Sequence, residues 1–556
     1  MGKLTVSKRT RPAKAQSVQP VGGFPAGAIA AMQSGQTGAP PPVLSQWDRA
    51  WITRRKNQAA AQKGALKVAT PPVVLPGGTG VAAAPPKTAK PPAQAMLGTT
   101  DLAYSHSLDH HLEFFSKAGS LFSGRKGGSH AVSALQLFKA CWSVNNAELL
   151  GMKLLFWLRD PRGGAGNRSG FRDIINFLAT DSRGAKWLLA NLAAIPAYGR
   201  WDDLVALFGT PLESHAAALW AANIRNQDHL ACKWAKRDMR PLQRSLHVNE
   251  AGLRKLIVPP RSTTVEVAMC KNDWTSIEYA KIPSKAMAAY TEAFKRHDPA
   301  GFAKFKKAVV KGEAKINASV LFPYDCMRTA IAGDAQTADL QFDALPNYMD
   351  KESPRKIMSI VDTSGSMDVA VAGQVTNLMI ALSLGLYCSD RLGSSNPFYR
   401  RYMEFSSSAA LKDWRGKKFS AACRSWDGEV GYTNIGAALD LLLNTAVIWR
   451  VPRDQMIDTV LVISDMQFNG GGCPRGAETT VEYCLNRWEQ AGYKRPAVVY
   501  WCLSGTPGNR ATVFHKDIAL ISGFSPAILA HALGGKIDPL ATLNKAIAKY
   551  VVHRPA

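Results

Sequence analysis

Apolar positions along this chain keep two different periods, and the change between them falls near residue 351. They recur at three and four residues in Ala131–Trp142, Leu149–Leu158, Phe171–Leu178, Trp187–Leu192 and Leu204–Phe208, the spacing of one helix face. Short polar or Pro/Gly stretches separate these runs, and no long β-branched alternation interrupts them. Residues 101–350 therefore read as an α-helical array. Beyond 351, short apolar runs of strand length appear at Lys356–Val361, Tyr399–Phe405, Thr459–Ser464 and Ala497–Cys502, the last of them expected to be the final strand. Helical patterns at Val375–Tyr387, Asn434–Trp449 and Thr480–Ala491 alternate with them. This order predicts an α/β doubly wound domain over 351–556, its mainly parallel sheet covered on both faces.

Composition adds a third part. Residues 1–100 carry 13 Pro, 11 Gly and 19 Ala, with 13 Lys/Arg against the single acid Asp48. Such a segment buries too little apolar surface to offset its ordering entropy, so a disordered basic tail is expected. One island differs: from Ser45, an N-cap, a helix is expected to run to about Lys63, with Trp47 and Trp51 on one face. Across the chain 68 Lys/Arg against 42 Asp/Glu leave a net charge of +26, which favours polyanions or acidic surfaces as partners. Nine cysteines, an odd number without a C-x-x-C pair, argue against a disulfide scaffold, a zinc ribbon or thioredoxin-type redox chemistry. The N-terminus lacks a secretory apolar core, and the stretch 370–386 is interrupted by Gln374 and Asn377. The expectation is a soluble cytoplasmic protein with no membrane partner.

The sharpest chemistry lies where the first strand of the α/β part ends. Asp362-Thr363-Ser364-Gly365-Ser366 places one carboxylate and two hydroxyls at a strand-to-helix turn, the position where open α/β sheets put their ligand sites. Thr433 opens the later helix, and Asp465 ends the strand Thr459–Ser464. An all-oxygen set suits Mg²⁺. The plainer alternative is that Ser364, Ser366 and Thr433 merely cap helices. No histidine stands near these three segments, and neither H-E-x-x-H nor G-x-S-x-G occurs, so the protein is expected not to be an enzyme. These five residues resemble the metal-ion-dependent adhesion site of von Willebrand factor A domains. The resemblance implies that Asp362, Ser364, Ser366, Thr433 and Asp465 ligate a divalent cation (Mg²⁺, or Mn²⁺ or Ca²⁺) directly or through water, with an open position that accepts a partner's carboxylate. Tyr432 and Met466 stand where many members of that family have glycine.

Two clusters carry the basic excess of the array. The run Arg159–Arg172 is rich in glycine and arginine, and Arg162, Arg168 and Arg172 precede or open a helix, a favourable setting for phosphate. In the second, His229, Lys233, Lys236, Arg237 and Arg240 follow one another at spacings of 4, 3, 1 and 3, one stripe of a single helix stopped by Pro241. A solvated face is the bland reading of either cluster. The charge total favours RNA, held by shape and backbone because no base-reading signature occurs.

A helical array followed by an adhesion-type domain also resembles the Ro (TROVE) ring family. The segments Gly163–Arg168, Ile195–Leu204, Leu230–Trp234 and Lys315–Ala318 carry the resemblance, which spans about 105–556. It implies HEAT-like helix pairs forming a ring or a horseshoe closed by the metal domain, with small structured RNA on the basic outer surface and single-stranded ends in the hole. The expected function is a non-enzymatic RNA-binding scaffold that also holds an acidic protein partner at its metal. The alternative is metal-dependent protein–protein assembly, as a structural or virion-associated module without specific RNA.

Overall fold

The computed structural model describes residues 94–96, 102–104, 107–121, 133–261, 265–318, 321–349, 355–372, 375–426, 431, 433–468, 480–504, 510, 516–525, 528 and 537–555. The tail helix expected at 45–63 lies outside the described residues. At the edge of the expected tail, β1 (Gln94–Met96) pairs antiparallel with β2 (Leu102–Tyr104).

The array is helical from His110–Lys117 to Ala335–Asp343. Several of its helices start where an Asn, Asp or Ser side chain takes a first-turn N–H. Ser133 and Gln136 form a reciprocal capping box, Asn167 caps Arg168–Thr180, and Asp181 caps Ser182–Ala190. Apolar faces close around Trp157, Phe115 and Trp220, all fully buried. The run expected as a helix at Leu204–Phe208 is instead a 3₁₀ segment, Trp201–Leu207. Asp203, in its first turn, is pulled into an ion-pair hub that ties this segment to its neighbours.

The α/β part is a six-stranded sheet in the order β10-β9-β8-β3-β6-β7. Its strands are β3 (Ile357–Asp362), β6 (Arg401–Phe405), β7 (Ala409–Asp413), β8 (Thr459–Ser464), β9 (Ala497–Cys502) and β10 (Ile518–Ser522), while the short β4 (Ala370–Ala372) and β5 (Val375–Thr376) pair with each other outside it. Every pairing is parallel except β6 with β7. β3, β8 and β9 are buried at all six positions, as a sheet covered on both faces requires. Two strands of this sheet exceed the sequence reading: the antiparallel β7, and β10, which displaces Ala497–Cys502 as the last strand. The chain runs from β3 outward to β6 and later returns to place β8 on β3's other side. The carboxyl ends of β3 and β8 therefore flank the topological switch point.

The array rests on the α/β domain at both of its ends. At the far end, helices Pro323–Ile331 and Ala335–Asp343 pack on Asn377–Asp390 and Phe419–Arg424, with Phe342 stacked on Phe419 at 3.9 Å. At the near end, Gly119 N donates to Ser522 Oγ at 3.1 Å, and that hydroxyl donates to Phe115 O at 2.8 Å. A Cβ on Gly119 would stand 2.6 Å from Ser522 O, so only glycine allows this approach to β10. The C-terminal segment then crosses back to the array. Lys549 Nζ and Tyr550 OH donate to Asp160 Oδ2 at 2.6 and 3.0 Å, while Asn191 and His553 exchange hydrogen bonds. Neither part is closed by the sequence boundary near 350.

Candidate divalent-metal site and basic surfaces

The switch point brings Asp362, Ser364, Ser366 and Asp465 together, and the Thr433 segment reaches it through a backbone hydrogen bond. Asp362 ends β3 and is fully buried; Ser364 and Asp465 are 2% and 3% exposed. Val361 is in register with Ile463, so Asp362 lies beside Ser464 and next to Asp465, which follows it. Ser464 Oγ donates to Asp362 Oδ2, and Ser364 N donates to Asp362 Oδ1 at 2.8 Å. Ser364 Oγ and Ser366 Oγ share a hydrogen bond of 3.1 Å. The third segment joins through its backbone, because Gly365 N donates to Gly431 O at 3.3 Å, two residues before the buried Thr433. Tyr432 lies outside the described residues.

Burial first, and the facing Asp465 charge second, push the Asp362 carboxyl up to about 7. Two buried carboxyls that repel one another are relieved either by a proton on one of them or by a cation between them. The hydroxyls are not absorbed by helix caps. Ser364 makes no side-chain capping bond, and the helix Ile435–Ile448 is capped by Asn434, whose side chain accepts from Ala437 N at 3.2 Å, rather than by Thr433. Two aspartates and three hydroxyls fit a hard cation such as Mg²⁺, and Asp362, Ser364, Ser366, Thr433 and Asp465 are the residues that would hold it.

Supporting residues here were not read from the sequence. Ser464 orients Asp362 and also accepts from Met466 N at 2.9 Å. Met466 is left-handed, with φ +66°, a conformation that glycine takes at lower cost. Arg510 Nη2 holds the Met466 carbonyl at 2.6 Å, its guanidinium 4.4 Å from the centre of the Phe468 ring. Ser464 had a signal, its place one residue before Asp465; Arg510 had none.

The basic clusters are corrected in several respects. The stripe is not one helix: His229–Trp234 ends before an extended Ala235, and Arg240–Leu246 starts anew with Pro241 in its first turn. Within a continuous helix, Pro241 would abut the Arg237 carbonyl and leave it without its amide partner. That carbonyl instead accepts from Gln243 Nε2 at 2.7 Å. Lys233 pairs with Glu266 at 3.3 Å and Arg237 with Glu250 at 3.0 Å. Lys236 and Arg240 remain exposed.

The glycine-rich loop is not an open cradle of N–H donors either. Gly164, Ala165 and Asn167 donate to the carbonyls of Asp160, Trp157 and Leu158. Arg168 and Arg172 are claimed by acids on the 3₁₀ segment. Arg172 Nε lies 2.8 Å from Asp203 Oδ1 and its Nη2 3.0 Å from Asp202 Oδ2, and Arg168 reaches Asp202 at 3.3 Å. Buried Arg159 donates to Asp203 Oδ2 at 2.7 Å, and Arg200 N donates to the same oxygen at 2.9 Å. A Cβ on Gly199 would sit 2.6 Å from that oxygen, which explains the glycine in Gly199-Arg200-Trp201-Asp202-Asp203. Of this cluster, Arg162 alone is exposed with no side-chain ion pair among the described residues.

Among the described residues, no helix is long and apolar enough to cross a membrane. A family model described as "Domain of unknown function (DUF2828)" matches residues 216–362, and one described as "Domain of unknown function (DUF7788)" matches 356–546. Uncharacterized protein L728 of Acanthamoeba polyphaga mimivirus is 23% identical over 524 residues, which is 82% of this chain and 87% of that protein. The crystal structure of Deinococcus radiodurans RO (RSR) protein is similar over 80% of this chain and 100% of that chain, at 13% identity and a TM-score of 0.44. So loose a superposition does not establish a shared fold. The two family models meet at β3, where the helical region gives way to the mostly parallel sheet.

Proposed function

We propose that this protein is a non-enzymatic scaffold that captures a carboxylate of an acidic partner protein through a divalent cation at the switch point, and binds RNA on exposed cations of the array. The observation that carries the reading is the buried Asp362–Asp465 pair, with hydroxyls beside it that cap no helix. This donor set, in this order along the chain, resembles a von Willebrand factor A adhesion site, whose cation keeps one position for a partner's oxygen. Scaffolding is favoured over hydrolysis because the three site segments bring carboxylates and hydroxyls but no histidine to serve as base.

The RNA half rests on the +26 charge and on Arg162, Lys236 and Arg240, exposed and without an ion pair among the described residues. The alternative, metal-dependent assembly without specific RNA, gains from the pairing of Arg168, Arg172, Lys233 and Arg237 with acids. Binding to a structured RNA, titrated against salt in the presence of EDTA, separates the two. The scaffold reading expects binding that survives EDTA. Lys236→Ala/Arg240→Ala should then lower the log–log salt slope by about 1.4 to 1.8, or roughly 0.7–0.9 for each phosphate no longer neutralised. An unchanged slope removes RNA from the assignment of these residues. Retention of a partner that needs Mg²⁺, with no RNA bound at all, leaves the assembly reading.

A further inference from the structure

A cleft of about 1150 Å³ lies away from the candidate metal site, where the array's far end meets the α/β domain. The sheet register fixes its position. Phe405, the last residue of β6, is level with Asp362, whereas Arg401 at its start pairs with Asp413 at the end of β7. The chain from Trp414 to Arg424, which forms one wall, therefore leaves the sheet at the end opposite the switch point. Helices Pro299–Val310 and Ala335–Asp343 contribute the other wall.

The lining is cationic. Lys315, Arg400, Lys417, Lys418 and Arg424 face the cleft against the acids Asp339 and Asp343. Some of these charges are already used. Arg400 pairs with Asp390 at 2.7 Å and lies over the Trp414 ring, Lys417 donates to Ser425 Oγ, and Asp339 accepts from Ser420 N and Oγ at 2.7 and 3.0 Å. Lys315, Lys418 and Arg424 are exposed, and none has an ion pair among the described residues. Three exposed cations from two separate stretches of chain line one cleft whose acids are Asp343 and the Ser420-bonded Asp339, and lysine suits phosphate as a point charge. Beside them the wall is apolar, formed by Val309, Ile316 and Leu340.

The aromatic rings decide between a nucleic-acid strand and a smaller ligand. Single-stranded nucleic acid spreads its bases on exposed ring faces. Here Phe342, Trp414 and Phe419 are 1%, 3% and 3% exposed, and Phe342 is stacked on Phe419. The volume lies just above the ordinary range for small-molecule sites, about 300–1,000 Å³, and junctions between domains are favoured places for them. We infer that this cleft binds a phosphorylated small molecule of nucleotide size, with its phosphates on Lys315, Lys418 and Arg424 and its apolar portion against Val309, Ile316 and Leu340.

The test is calorimetric titration of the full chain with ATP, and with inorganic pyrophosphate as a probe of the phosphate seat alone. EDTA is present throughout, so that the switch-point site takes no part. Both probes should saturate and compete with one another. Lys418→Gln/Arg424→Gln should weaken both by at least about tenfold, the worth of one charge-assisted hydrogen bond. Lys186→Gln/Lys255→Gln, exposed on the array and outside the cleft lining, should leave both unchanged. The inference is overturned if neither probe saturates, if the Lys418/Arg424 variant binds like the parent, or if an RNA oligomer binds there and neither probe does. None of these outcomes depends on whether the switch point holds a cation.

Discussion

Asp362→Asn removes divalent-cation binding and leaves the metal-free chain at least as stable as the parent. The two effects have opposite signs for one reason. Asp362 is fully buried and faces Asp465, so in the absence of a cation its charge is a cost, which the neutral amide does not carry. The amide oxygen can still accept from Ser364 N, as Asp362 Oδ1 does at 2.8 Å, so the turn keeps its shape. With a cation present the same charge is the principal attraction. Loss of a supporting residue around a metal already costs about 10–100-fold, and loss of a charged ligand should exceed about 100-fold in affinity for Mn²⁺. Paired measurements of Mn²⁺ affinity and of urea unfolding in EDTA check both halves. A variant that binds Mn²⁺ like the parent, or that unfolds far earlier without metal, contradicts the role given to Asp362.

Asp203→Ala should be the most damaging change in the array. Asp203 is fully buried and accepts from Arg159 Nε, Arg172 Nε and Arg200 N. Arg159 is 3% exposed and would be left as a buried cation without its carboxylate. Breaking such a pair from one side costs about 3–5 kcal/mol. Asp202→Ala makes the comparison, because its partners Arg168 and Arg172 are 39% and 25% exposed at the side chain. Pairs so open to water are worth about 0–1 kcal/mol. Urea unfolding followed by tryptophan fluorescence should therefore separate the neighbouring variants clearly. Equal losses would show that Asp203 is no hub.

The same residues show what the sequence could and could not disclose. The strands β3, β8 and β9 were legible almost to the residue, because a mostly apolar run of strand length has few other readings. β7 was not, since Ala409–Asp413 is half-buried and carries no clean alternation, whereas β10 is a buried run as long as β6 and carried the same signal. The candidate ligands were legible because topology, not distance along the chain, brings strand ends together: Asp362 and Asp465 meet at the switch point. The basic clusters failed for a related reason. Periodicity cannot see that Pro241 starts a helix instead of stopping one. Nor can it see that Asp202, Asp203, Glu250 and Glu266 fold back onto arginines and lysines that stand apart from them in the sequence. Charge counted locally overstates what a surface offers when the counter-charge arrives from a distant stretch of chain.

Diffraction at the manganese edge, from crystals of the full chain grown with Mn²⁺, addresses the adhesion-site assignment most directly. An anomalous peak within coordination reach of Asp362, Ser364, Ser366, Thr433 and Asp465 is the predicted result. No peak there, with the carboxyl groups of Asp362 and Asp465 turned away from each other, would contradict it.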